Sequence, residues 1–542
     1  MRTFFENHPK ILLVLLWAAL TLPTLGIAPL FDYDETIYAQ TALDMMHKGE
    51  WIIPTANGMQ FFEKPPFTYY MMDAAFAAFG ENAFAARLPS ALFTLFTVLL
   101  LFHFGWRLHS REFGFAAALT YFSMFEVGFL AHAAILDPVL NFFIAGTLLF
   151  YAVWREFGNH RDAFWCALMM GAAVGIKGPV GAVIPLMVIG VDTLWRRDLV
   201  RTLQSIPWAT VMPLFLIAAL PWYLLILLVN GPGFLYEFIW VHNIERALKP
   251  MQGHGGGWHY YFVVFAVSVL PWLALLPRSV SEWWERRSDD QVLPTLARLG
   301  IIWTLLVLLL FTFAQTKLPH YISSIYPGVA LLLAAAIVLR QRRVLASRVS
   351  HWVTFLLLAP LAILLILFPW AYEYVGQFVK HPRALAIVNQ PIEPPLWIAG
   401  LGVLLLAALV WLVAGRNRPG GLLLRFAVLG FALQLSVIGG VGVFAGNLVQ
   451  APQMRIAEEL RKLPPDMPVY SYMLNMPSIS FYAGRSYQIK TEPGMPSSKV
   501  PYALILRTEE KANLPRLKRY KPQVEQGGFM LYLIKPARRR VS

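Results

Sequence analysis

The chain has 542 residues, of which 57% are hydrophobic and 14% charged, with a net charge of +14. Soluble domains carry about 25% charged residues, so an ordinary water-soluble fold is excluded. The positive total does not point to nucleic acid, because the arginines sit in short loops between apolar runs, as membrane topology demands.

About thirteen runs reach or approach the ~20 residues a helix needs to cross ~30 Å of hydrocarbon. In chain order they are 11–30, 88–106, 112–130, 138–154, 163–177, 179–195, 207–229, 261–277, 299–313, 321–339, 352–371, 395–414 and 422–444. The first follows Arg2 and Lys10 and shows no small-residue cleavage site, so it reads as an uncleaved first helix. Pro221, Pro271 and Pro327 fall in or near spans, where neighbouring helices must re-satisfy the freed backbone groups. The single cysteine, Cys166, lies in an apolar run and reads as a packing residue; no intrachain disulfide is possible.

Alternate loops carry the arginines: Arg107 and Arg111; Arg155 and Arg161; Arg196, Arg197 and Arg201; Arg278, Arg286, Arg287 and Arg298; Arg340, Arg342, Arg343 and Arg348; Arg416, Arg418 and Arg425. The intervening loops are poor in base, so the arginine-rich side and the N-terminus are expected in the cytoplasm. The long loop at 31–87, the loops at 131–137, 230–260, 314–320 and 372–394, and the tail from 445 are then expected outside.

The tail differs in texture. Short apolar runs at Val469–Met473, Ser478–Tyr482, Tyr502–Leu506 and Phe529–Ile534, punctuated by Pro and Gly, predict short strands in a small α/β or β-rich domain. Met454, Ala457, Leu460 and Leu463, at helical spacing, predict a helix that opens it. Arg538, Arg539 and Arg540 read as a solvated end.

Polar residues concentrate on the outer side. Past the first span come Asp32, Asp34 and Glu35, followed by an amphipathic stretch from Thr36 to Lys48 that predicts an interfacial helix. Asp34 and Glu35 stand near its start, where the helix dipole favours anions, so Asp34 is either a cap or a reactive acid. Glu63 and Lys64 are followed by Pro65 and Pro66, which lock the backbone extended. A rigid pair of this kind suits a metal or a phosphate, the carboxylate giving hard oxygens and the lysine a point charge. His132, Asp137, Lys177, Arg246, Lys317 and Tyr321 stand at outer helix mouths. Each alone can be an interface anchor; together, charged groups beside hydrocarbon make a cationic cradle for a lipid phosphate. The outer histidines His242, His254, His259 and His320 show no metal-ligand spacing, and Gly255–Gly257 is no nucleotide motif.

These motifs resemble a known family. Asp34-Glu35-Thr36, Phe62-Glu63-Lys64-Pro65-Pro66, Ala85-Ala86-Arg87-Leu88-Pro89-Ser90, Leu136-Asp137-Pro138 and Lys317-Leu318-Pro319 form an ordered set similar to that of the aminoarabinose transferases of lipid A. These belong to the protein-O-mannosyltransferase superfamily, with the GT-C glycosyltransferase fold. The resemblance implies a polytopic α-helical membrane protein of the bacterial inner membrane. Residues 1–444 would form the transmembrane unit of about thirteen helices, with interfacial helices in 31–87, and 445–542 a small periplasmic α/β domain. It implies transfer of a sugar from an undecaprenyl-phosphate donor to lipid A or another envelope acceptor. Asp34 and Asp137 would be the catalytic acids. Lys64, Arg246, Lys177, Lys317 and Tyr321 would contact the donor phosphate, and Glu63 and His242 a divalent metal such as Zn, Mg or Mn. The chain departs from the family pattern at Ile37, where Arg is usual, at Phe61, where an aromatic hydroxyl is usual, and at Thr316 and His320, where Gly and Thr are usual. A transporter of lipid-linked sugars is the competing class, but no repeated halves are visible.

Overall fold

The computed structural model describes residues 8–250, 253–285, 292–341, 348–417, 421–492, 494–496, 498 and 500–535. Arg2, Arg286, Arg287, Arg342, Arg343, Arg418 and Arg538 to Arg540 lie outside the described residues.

Each of the thirteen expected apolar runs falls mainly on one helical segment or on two or three successive ones. Among the described residues seven helices are long and apolar enough to cross a membrane, or ten when each bent pair counts as one span. Helices Pro9–Thr21, Val180–Trp195 and Pro221–Asn230 are shorter apolar segments. The bends have local causes. The pair Tyr260–Ser268 and Trp272–Glu285 turns by 99° around Pro271, which cannot supply a helical N–H. It packs against a second break, where Arg111–Phe122 and Phe125–Ala131 turn by 70°. There the Trp272 indole donates to the Ser123 hydroxyl at 3.1 Å and the Phe125 N–H to the Leu270 carbonyl at 3.0 Å, so each break helps satisfy the other's backbone.

Ion pairs gather four arginine-bearing segments at one end of the bundle. Arg107 holds Asp162 through two 2.9 Å bonds, and Arg155 pairs with Asp198. Asp192, almost fully buried, is shared by Arg196 at 2.9 Å, Arg298 at 3.0 Å and the Tyr151 hydroxyl at 2.7 Å. The shared partners offset the cost of burying a carboxylate.

The Thr36–Lys48 stretch is helical, as expected, within Asp34–Lys48. It does not lie half-exposed along an interface. Residues 35–37 and 39–45 are all buried, covered by the Phe67–Phe79 helix and by the tail. A short hairpin, β1 (Thr55–Ala56) and β2 (Met59–Gln60), follows it.

The tail is a five-stranded mixed sheet of order β4-β3-β5-β7-β6, where β3 is Val469–Tyr472, β4 Gln488–Lys490, β5 Tyr502–Arg507, β6 Val524–Gln526 and β7 Phe529–Ile534. β3 pairs in parallel with β4 and β5, and β7 runs antiparallel to β5 and β6. Alternation places Ala503 and Ile505 against Ile456 and Leu460 of helix Val443–Arg461, and Leu504 and Leu506 against Leu514 and Leu517 on the other face. The expected boundary at 445 falls inside that helix, which continues the apolar segment beginning at Leu422. The run Ser478–Tyr482, expected as a strand, is instead part of helix Pro477–Ala483. Pro477 opens its first turn, and Gly484 closes it at φ 65°, a backbone region cheap only for glycine.

Candidate active site

At the other end of the bundle lies a cavity of about 680 Å³. Val180, Val183 and Ile184 of helix Val180–Trp195 and Leu310, Phe311 and Phe313 of helix Val292–Phe313 give it an apolar wall. Lys64, Lys177 and Arg246 bring three cations to the same cavity, with Asp137, His242 and Tyr321. A long prenyl chain with a phosphate end has this combination of surfaces.

Each charged group is placed by a local device. Lys177 ends helix His160–Lys177, where Gly178 leaves the helical path at φ 75°. Its ammonium donates to Asp137 at 2.7 Å and lies 5.1 Å from the centre of the Tyr321 ring. Asp137 opens helix Asp137–Phe157, and His320 stands 3.9 Å from its other oxygen. Arg246 pairs with Glu63 at 3.3 Å. Arg246 and His242 come from one continuous helical stretch that is π-helical over Tyr236–Glu245. A π segment in a helix often marks a functional site.

Lys64 is buried, and its ammonium donates to the Glu63 carbonyl at 2.9 Å. Phe62 anchors the turn edge-on against Phe234, with ring centres 5.5 Å apart. Burial pushes the Lys64 ammonium down to about 7, against the attraction of Glu63 and with the repulsion of Arg246 and Lys177. Among the described residues Lys64 has no ion pair within 4 Å, so it can meet an incoming anion.

The acidic run at the start of the first loop divides its labour. Glu35 is consumed by Arg87, and Asp32 by Thr36 and Ser478. Asp34 is exposed, and its carboxylate has no hydrogen bond or ion pair among the described residues. Burial pushes the Tyr33 hydroxyl up to about 12, helped by the charges of Glu63, Asp32 and Asp34. Tyr38 is also raised mainly by burial, with further contributions from Tyr69, Glu63, Asp34 and Asp137.

Lys317 departs from the expectation. Its backbone N–H bonds to the His254 carbonyl, and its ammonium donates to the carbonyls of Thr312 and Ala314 at 2.8 Å, and of Phe311 at 3.4 Å. Those carbonyls end a membrane helix and would otherwise lack donors. Lys317 therefore caps a helix. His132 bridges Thr24 and the Gly128 carbonyl, away from the cavity, and His254 and His259 are exposed.

Among the described residues no group of three or more His, Cys, Asp or Glu side chains is arranged to hold a metal. Of the expected pair, Glu63 is paired with Arg246, one turn after His242 on the same helical stretch, and the His242 Nδ1 is buried without a partner among the described residues. Two ligands are available, and the Arg246 guanidinium already occupies one Glu63 oxygen. Sequence reasoning missed Tyr38, which lies one turn after Asp34 on the same helix face, and Asn141, one turn after Asp137 and on the cavity wall. The i, i+4 spacing was the available signal for both.

The fold is that of the GT-C membrane glycosyltransferases. ArnT from Cupriavidus metallidurans, solved bound to undecaprenyl phosphate, superposes with a TM-score of 0.78 at 20% identity, covering 96% of this chain and 97% of that one. Along its sequence the chain is similar to the undecaprenyl phosphate-α-4-amino-4-deoxy-L-arabinose arabinosyl transferases. It is 29% identical to that of Aeromonas hydrophila over 370 residues, 66% of each chain, and 31% identical to that of Aeromonas salmonicida over 348 residues, 62% of each. With that of Erwinia tasmaniensis it shares 27% over 428 residues, 77% of this chain and 76% of that one. The match thus spans just under two thirds of the length of the first two relatives. A family model described as dolichyl-phosphate-mannose-protein mannosyltransferase matches residues 63–225.

Proposed function

We propose that this chain moves a sugar from an undecaprenyl-phosphate donor to an acceptor at the periplasmic face of the bacterial inner membrane. The sugar is aminoarabinose and the acceptor a phosphate of lipid A. The arginine-rich end of the bundle and the N-terminus face the cytoplasm, and the tail domain lies in the periplasm. The observation that carries the reading is the cavity that joins an apolar wall to Lys64, Lys177 and Arg246.

The chemistry follows from charge. The donor's anomeric carbon–oxygen bond breaks, and the electron pair stays on the carrier phosphate. Lys64, Lys177 and Arg246 stabilise that growing negative charge from largely buried positions, where water screens it less than at an open surface. The acceptor oxygen forms the new bond from the opposite face, which inverts the configuration. An acceptor hydroxyl would give its proton to Asp34, the free acid. A lipid A phosphate is already ionised, and Asp34 then orients the sugar or balances its amine. Asp137 balances the charge of Lys177 until the phosphate takes over that role. Glu63 and His242, whose Nδ1 is buried without a partner, would be the residues to hold a divalent ion, which when bound would supply Lewis acidity.

Lipid A mass spectrometry tests the reading, in a host that makes the lipid-linked donor and lacks its own transferase. Wild-type chain should add a pentosamine mass and Asp34→Ala should not, at matched expression. No added mass from well-inserted wild-type protein would sink the aminoarabinose assignment and move the search to other donors and envelope acceptors.

A further inference from the structure

The tail domain touches the first loop at its acidic run. The Ser478 N–H donates to Asp32 Oδ1 at 3.0 Å, and the Ser478 hydroxyl donates to Asp32 Oδ2. The Thr36 hydroxyl donates to Asp32 Oδ1 at 2.5 Å. On either side, the Leu30 N–H donates to the Tyr482 hydroxyl at 2.7 Å, and Asn475 donates to the Tyr33 hydroxyl at 3.3 Å. Phe481 packs on Phe76 with ring centres 6.0 Å apart. Residues 30, 32 and 33 are thus held by a segment about 446 residues away in sequence, while Asp34, next in line, is free.

We propose that the tail domain is part of the active site, and that Ser478 is a positioning residue that fixes Asp34 through Asp32. This deepens the reading of Asp34 as the working acid and rests on it. The physical ground is that a catalytic group must be held within about 0.5 Å of its productive place. A loop start cannot do this alone. Asp32 is anchored at both oxygens, by its own helix through Thr36 and by the tail through Ser478. The Asp34 backbone therefore sits between that anchor and the Glu35–Arg87 pair. Ser478 is fully buried and does not line the cavity, so its loss leaves the carrier-phosphate contacts intact.

The test uses the full chain in lipid nanodiscs with a lipid-linked aminosugar donor. Ser478→Ala should lower kcat by about tenfold or more, since small misplacements of a catalytic group cost up to ~10²-fold. Its Kd for undecaprenyl phosphate should stay within about twofold of wild type, a margin too small to reflect a lost charge contact. Amide hydrogen exchange should quicken at residues 30–36 and stay unchanged at 177–184. Ser478→Thr, which keeps the hydroxyl, should restore both readouts. Unchanged exchange at 30–36, or unchanged kcat, overturns the proposal. An equal fall in carrier binding also overturns it, because that is general loosening. Should Ser478→Ala fail to insert, Asp32→Asn, which removes one acceptor oxygen, is expected to show the same split. If wild-type protein transfers no sugar, the functional reading fails, and the exchange measurement still decides whether Ser478 orders the loop.

Discussion

Arg87 and Glu35 grip one another through two parallel bonds, Nε to Oε1 and Nη2 to Oε2, each 2.8 Å. Arg87 spends its remaining donors on the carbonyls of Leu25, Ala28 and Pro29, and Glu35 accepts the N–H groups of Phe31 and Ala134. The pair is buried and fully satisfied, and it ties the end of the first helix to the Ala83–Leu108 helix. Removing one partner strands the other, at a cost of about 3–5 kcal/mol. Glu35→Ala should therefore lose folded protein, read as a lowered melting temperature and an aggregated peak on size exclusion. Asp34→Asn, one residue away, should keep stability within about 0.5 kcal/mol and lose transfer, as expected for an exposed group outside the packing. Equal stability losses in both variants would contradict this division.

Lys64 predicts a pH dependence with a definite sign. Its ammonium is pushed down to about 7 by burial, so it is protonated below that value and neutral above it. An anion at the site favours the protonated form. Carrier binding should therefore lose the Lys64 contribution as pH rises from about 6 to about 8. The carrier phosphate itself ionises near pH ~6 and works in the opposite direction, so the informative quantity is the comparison with Lys64→Arg, whose charge is permanent. The wild-type affinity relative to that variant should fall by several-fold across the window, measured by titration of undecaprenyl phosphate. A ratio that stays flat would mean that Lys64 holds its charge throughout or does not touch the phosphate.

Lys317 illustrates how far the sequence carries and where it stops. Its place at a helix mouth on the outer side was legible, and so was its charge; where its ammonium points was not. Hydropathy marked the apolar runs because every span must bury its backbone in helix. It did not foresee the 99° bend at Pro271, since a proline can equally kink or start a helix. The acidic run was visible as a cluster, yet Glu35, Asp32 and Asp34 differ only in partners that arrive from Arg87 and Ser478, far along the chain. Ser478–Tyr482 looked like a strand because five residues cannot display a period, and Pro477 with Gly484 decided the matter. Lys64, Lys177 and Arg246 were recognisable one by one, and the cavity that unites them is a tertiary fact.

The capping role of Lys317 gives a separate expectation. Its ammonium serves carbonyls at a helix end, and hydrogen bonds from a charged donor contribute about 1.5–3 kcal/mol each. Lys317→Met should lower the melting temperature while carrier affinity in the surviving folded protein changes by less than about threefold. A loss of affinity as large as that of Lys177→Met, with unchanged melting, would return Lys317 to the phosphate site.

Asp137 and Lys177 should respond in opposite directions. At 2.7 Å the carboxylate is Lys177's ion-pair partner, and it is also a negative charge in the cavity proposed to take the phosphate. Lys177→Met removes a cation from the cradle and leaves the buried Asp137 with His320, 3.9 Å away, as its nearest ion-pair partner among the described residues. Carrier binding should then weaken by tenfold or more, each tenfold being about 1.4 kcal/mol. Asp137→Asn keeps the shape, removes the repulsion and releases Lys177 to the anion. Carrier binding should tighten by several-fold, and product carrier should leave more slowly. Turnover then falls while KM falls with it, the signature of a lost ground-state penalty. In the double variant the two changes should not add, because each acts through the same 2.7 Å contact. Isothermal titration with undecaprenyl phosphate and steady-state kinetics on the four proteins check this. If Asp137→Asn instead weakens the carrier as Lys177→Met does, the acid's role is to hold the lysine in place, and charge balance is not what it supplies.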